Sequence, residues 1–212
     1  MKLTFLRYIL TLTTALIFSA AVNAADTKAL KEPLLVQVFI HDDVSLDLET
    51  INRNYFSWMV KDLESFTQRK VHLRFLKNTP GLTDFAYHGE NIDSILWLWK
   101  VAVHNYITRH NLPQNKFRKY LLLTDRVIKS GTLGIADADK KVAGIASLSS
   151  YNVPAHELGH LLGGTHDAAK ILYRPWPCET NLDSHRTVGF ALCYVYSDEN
   201  KRLIADYLNA GS

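Results

Sequence analysis

The chain has 212 residues, 47% of them hydrophobic and 21% charged, with a formal net charge of +3. That balance leaves no electrostatic case for nucleic acid or an acidic membrane surface, so no nucleic-acid partner is expected. Two cysteines, Cys178 and Cys193, allow at most one disulfide.

Residues 1–24 carry Lys2 and Arg7, then an apolar run at 8–21, then Val22-Asn23-Ala24. This is the layout of a signal peptide cut after Ala24. The run falls short of the about 20 apolar residues that a permanent anchor needs, although an uncleaved anchor is the alternative reading. Removing Lys2 and Arg7 without any acid lowers the net charge to +1. A secreted or periplasmic protein is therefore expected, with no permanent membrane anchor. The remaining residues, 25–212, suit one domain with a sizeable core and leave no room for a second. Export places Cys178 and Cys193 where a disulfide persists, so they read as one bridge closing a short loop. Two buried free thiols are the alternative.

Residues 25–33 form a polar opening, read as a flexible lead or a short processed segment. The run LLVQVFI at 34–40 predicts a buried strand. From 47 to 68, Leu48, Ile51, Tyr55, Trp58, Met59, Leu63 and Phe66 recur at helical spacing. VHLRFL at 71–76 predicts a second strand, followed by a loop with Pro80 and Gly81. A second long helix is predicted over 91–110, ending before Pro113, and a third strand over 120–123. Segments 131–137 and 142–148 flank the polar turn Ala138-Asp139-Lys140-Lys141 and predict a hairpin at one margin of the sheet. Residues 154–162 predict a helix stopped by Gly163-Gly164. Beyond an irregular stretch with Pro175 and Pro177, Ser197 is placed to cap a last helix with Asp198 and Glu199 in its first turn. Such alternation predicts an α+β fold, with a mixed, mostly parallel twisted sheet, an antiparallel edge strand and covering helices.

Residues 156–167 read HELGHLLGGTHD. On a helix, His156 and His160 stand one turn apart on one face, so both imidazoles reach a single ion at about 2.0–2.1 Å. Glu157 is rotated off that face, free to address a water rather than the ion. His166 lies six residues beyond His160 and reaches the same ion only if the chain turns. Gly163 supplies that turn, because a residue without Cβ enters the left-handed region at little cost. One zinc per chain is expected, with three protein ligands and an open fourth position that activates a water and polarises a carbonyl. His-Glu-x-x-His alone is a modest signal; the extension through Gly163 and His166 makes chance a poor explanation. Core histidines with ordinary hydrogen bonds, or a purely structural zinc, are the competing readings.

HELGHLLGGTHD resembles the zinc signature of the metzincin metallopeptidases, and Asp167 after the third histidine is most similar to their adamalysin-like branch. The resemblance implies a zincin-like fold, zinc on His156, His160 and His166, and Glu157 as general base and acid. It implies a supporting role for Asp167, tucked under the site and hydrogen-bonded. It also implies an extended peptide or protein substrate lying along the hairpin at 131–148 by strand addition. Tyr173, Trp176 and His185 become candidate walls of the pocket below the scissile bond. One departure stands out: the only methionines are Met1 and Met59, so none follows His166. An apolar or small residue at 180–192, such as Leu182, is expected to form the floor that a methionine forms in the family. The expected function is an exported, monomeric zinc endopeptidase. The alternatives are a non-catalytic zinc-containing peptide-binding module and a zinc amidase acting on a cell-wall peptide.

Elsewhere, His41-Asp42-Asp43 reads as a solvated loop before a metal site, Trp97 and Trp99 as packing residues, and Lys140-Lys141 as a solvated turn.

Overall fold

Strand β1 (Leu34–Ile40) forms where the apolar run predicts it, and it is buried on both faces: Val36, Val38 and Ile40 enter one core and Phe39 the other. A computed structural model describes residues 31–211; the predicted leader at 1–24 lies outside them. β1 pairs in parallel with β2 (Val71–Leu76) on one side and β3 (Arg118–Thr124) on the other. Beyond β3, β4 (Gly134–Ala136) and β5 (Ala143–Ser147) complete a five-stranded sheet in the order β2-β1-β3-β5-β4. β5 is parallel to β3, and β4 runs antiparallel at the margin. The marginal hairpin is thus present, with shorter strands than its apolar segments suggest.

Helices cover both faces of this mixed sheet. The region predicted as one helix over 47–68 starts at Asp47, whose carboxylate accepts from the Thr50 amide at 2.8 Å. It then runs as α1 (Leu48–Ile51), a π-helical segment (Asn52–Phe56) and α2 (Ser57–Thr67). The side chains of Ser57 and Trp58 donate to the carbonyls of Arg53 and Asn54, engaging acceptors of the widened turn. Buried residues of this region join Leu158 and Leu161 of α4 (Val153–Leu161) and Ile204 and Leu208 of α5 (Asp198–Asn209) in one core. The opposite face is covered by α3 (Ile92–Arg109), whose Trp99 and Tyr106 pack edge-on against Phe39. Trp99 is buried, but Trp97 is 62% exposed and packs little. Ser197 caps α5 as expected, accepting from the Asn200 amide at 3.1 Å.

The stretch read as irregular contains a second, small sheet: β6 (Ile171–Tyr173), β7 (Pro177–Glu179) and β8 (Ala191–Leu192), in that order. Three or fewer residues per strand, one of them proline, carry no readable alternation. Cys178 in β7 and Cys193 just after β8 form a disulfide that closes this sheet. Among the described residues no helix is long and apolar enough to cross a membrane.

Candidate metal centre

α4 carries His156 and His160 one turn apart. It ends in hydrogen bonds from the Gly164 amide to the Gly159 carbonyl (2.9 Å) and from the Gly163 amide to the His160 carbonyl (3.0 Å). Gly163 takes φ +91°, the conformation expected of it, and the chain turns back so that His166 faces the helix. The result is a triangle of imidazole nitrogens. Nε2 of His156 lies 3.1 Å from Nε2 of His160 and 3.0 Å from that of His166, and the third side is 2.9 Å.

The tautomers follow from the remaining ring nitrogens. His156 Nδ1 lies 2.9 Å from the Asn181 carbonyl and His160 Nδ1 lies 3.1 Å from the Gly164 carbonyl. A carbonyl only accepts, so each Nδ1 carries the proton and each Nε2 presents a lone pair. Two such lone pairs cannot bond to each other; a shared cation satisfies them, and the spacing fits one ion at about 2.0–2.1 Å from each nitrogen. Burial, with the neighbouring imidazoles adding to it, lowers the His156 pKa to about 3, and burial lowers that of His160. Both rings are therefore neutral and ready to ligate. These three residues are the cluster of potential metal ligands found among the described residues.

Glu157, 5% exposed, stands against Gly134 of β4 and lines one cleft with His156 and His166. Its burial pushes the carboxyl pKa up to about 8. A Cβ built on Gly134 would stand 2.5 Å from Glu157 Oε1 and 2.7 Å from its Cγ, so the marginal strand approaches the carboxylate as closely as a backbone can. A cleft of about 230 Å³ opens here, lined by Thr132 and Gly134 from the hairpin, His156, Glu157 and His166 from the motif, and Arg186 from the opposite wall. Arg186 is held by Glu179, a buried carboxylate 2.7 Å away.

Leu182 forms the floor. It is fully buried, and a Cβ on Gly159, between the two helical histidines, would lie 3.1 Å from its Cδ1; one on Gly164 would lie 2.4 Å from the same atom. The helix and its turn thus rest on this side chain. Two expectations need correction. Asp167 is exposed, not tucked beneath the site, and makes no hydrogen bond or ion pair among the described residues: the turn that brings His166 inward leaves the next side chain outward. Tyr173, Trp176 and His185 do not line the cleft, and the first two are 76% and 77% exposed. The wall comes instead from Asp183, Ser184 and Arg186. His41-Asp42-Asp43 is a loop tie: Asp43 accepts from Tyr87 and from the Asp125 amide, and His41 Nδ1 is 2.7 Å from Asp43.

Three residues of the site have roles that the linear motif does not reveal. Gly134 is signalled only by a glycine within a predicted strand. Asn181 acts through its carbonyl, which any residue carries, and Gly164 reads in the sequence only as a helix stop.

No family model matches the chain, and no curated protein matches it. Among solved structures it is similar to a zinc-dependent peptidase from Methanocorpusculum labreanum (strain Z), at 14% identity and a TM-score of 0.43, over 80% of this chain and 99% of that one. A likeness of that size carries no inference about this chain.

Proposed function

We propose that this chain is an exported zinc-dependent endopeptidase of metzincin type, binding one zinc through His156, His160 and His166 and hydrolysing peptide bonds with Glu157 as general base. The observation that carries this reading is the inward triangle of three Nε2 atoms within 3.1 Å of one another, two of them held as acceptors by backbone carbonyls. A buried carboxylate one residue along the helix, against an open sheet margin, supports hydrolysis over a purely structural metal. The disulfide and the lack of a membrane-length helix among the described residues are compatible with a place outside the cytoplasm.

When bound, zinc supplies a Lewis acid that polarises the scissile carbonyl and lowers the pKa of a water molecule. Glu157, which a zinc cation nearby would hold ionised despite its burial, takes the proton of the attacking water and delivers it to the leaving amine. The free side of β4 offers backbone groups to an extended substrate, which then lies beside Glu157. Leu182 and the carbonyls of Asn181 and Gly164 hold the histidine rings in place, so that little reorganisation accompanies reaction. No covalent intermediate is required, and the protein acts as a monomer on a protein or peptide.

Substitution Glu157→Gln tests the role directly. Cleavage of an unfolded general protein by residues 25–212 is expected to fall by about 10²–10⁴-fold while zinc content is unchanged. Undiminished cleavage would remove Glu157 from the mechanism. Zinc binding with no cleavage by the unsubstituted chain would favour a peptide-binding module, and turnover confined to cell-wall peptides would favour the amidase reading.

A further inference from the structure

At the other end of the sheet from Glu157, a cavity of about 230 Å³ opens at the N-terminal ends of β3 and β5. Lys116, Arg118, Lys119, Lys140 and Lys141 line it, and no Asp or Glu is among the described residues that do. Lys119 is only 1% exposed. A buried ammonium ordinarily takes a carboxylate. Here its Nζ donates to the Lys141 carbonyl and to the Tyr207 hydroxyl, both neutral, which leaves one of its three donors without an acceptor among the described residues. The carboxylate that acts on it, Asp137, makes no hydrogen bond to it and pairs through Oδ1 with Lys100 at 2.9 Å.

The other cations are no better matched. Lys116 and Lys141 donate to the backbone carbonyls of Ala210 and Ala138. The side chains of Arg118 and Lys140 make no ion pair or hydrogen bond among the described residues. Tyr120 also lines the cavity. Four cationic side chains and the buried amine of Lys119, with a donor to spare, therefore surround one space. We infer that this cavity is a binding site for a multiply charged oxyanion, a phosphate or sulfate group, seated on the Lys119 ammonium and clamped by the Arg118 guanidinium. Such an anion supplies the missing acceptors, and the planar fork of an arginine suits two of its oxygens. Nothing in it depends on the metal centre.

The test follows the melting temperature of zinc-loaded residues 25–212 as inorganic sulfate is added, against sodium chloride at equal ionic strength. A saturable rise with sulfate, reproduced by inorganic phosphate and absent with chloride, is expected. Arg118→Gln, on the rim, should weaken sulfate about tenfold, and Lys119→Met should abolish the response. If Lys119→Met does not fold, Arg118→Gln carries the test. An equal rise with chloride, or an unchanged sulfate or phosphate response in the variants, overturns the proposal; the latter result would place the anion elsewhere, such as at the zinc.

Discussion

A methyl group on Gly134 would stand 2.5 Å from Glu157 Oε1, inside any tolerable contact, and 2.7 Å from the Ile145 carbonyl oxygen on its other side. Neither the carboxylate nor the paired strand yields without disturbing the site, so Gly134→Ala is expected to cut turnover by about 10²-fold. Zinc content, measured alongside, should stay at the level of the parent chain, because the atoms nearest a Cβ there belong to Glu157 and Ile145 and not to the three histidines. Leu182 works at the same scale from below. Replacing it by alanine removes a fully buried side chain from beneath Gly159 and Gly164. Denaturant unfolding should report a loss of about 2–5 kcal/mol, and competition with a chelator should report weaker zinc binding. The three histidines themselves are legible in the sequence because their geometry is compressed into one helix and its turn. Gly134 and Leu182 act across elements distant in the chain, and no local spacing encodes such an approach. Asp167 illustrates the converse, since adjacency to His166 says nothing about which way its side chain leaves the turn.

Among the elements, the turn after α4 and the small sheet opposite it decide whether the cleft keeps its shape. Gly163→Ala forces a side chain into φ +91° and sets its Cβ 3.2 Å from that of Tyr207. About 1–2 kcal/mol of stability should be lost, and zinc affinity should fall with it, because this turn delivers His166. The Cys178–Cys193 bridge spans 15 residues, a loop whose closure is worth about 3 kcal/mol. Reducing it, or replacing both cysteines by alanine, should lower the melting temperature and increase proteolytic nicking between 180 and 192. Strands β1, β2 and β3 and helices α3 and α5 are readable because each carries a sustained period of two, an unbroken apolar run or a capped period of 3.6. The π-helical segment is not, since Tyr55, Trp58 and Met59 satisfy an α-helical pattern whichever turn is widened. Nor is the β6-β7-β8 sheet, whose strands are held by the bridge and by pairing rather than by their own patterning.

For the molecule as a whole, the mixed sheet and its helical layers follow from the order of elements, whereas the charge buried at its far end does not. Lys119 sits at a position that alternation assigns to the core, and only the packing of Tyr207 and Lys141 around it shows that an amine is buried there. That burial, with Lys141 adding to it and Asp137 opposing, lowers its pKa from 10.5 to about 7. Below pH 7 both folded and unfolded chains hold the proton and its cost is constant. Between about 7 and 10.5 the unfolded chain binds a proton that the folded chain has released, so stability should rise with pH by up to about 5 kcal/mol. Lys119→Met should flatten that rise and stabilise the chain near neutrality, which denaturant melts across pH 6–10 will show.

The three-histidine triangle is most directly tested by counting zinc in residues 25–212 while following cleavage of an unfolded protein through chelation and restoration. One zinc per chain, cleavage lost on its removal and regained when one equivalent returns is the expected result. A chain that binds no zinc, or that cleaves equally well without it, would contradict the reading of His156, His160, His166 and Glu157 as a hydrolytic centre.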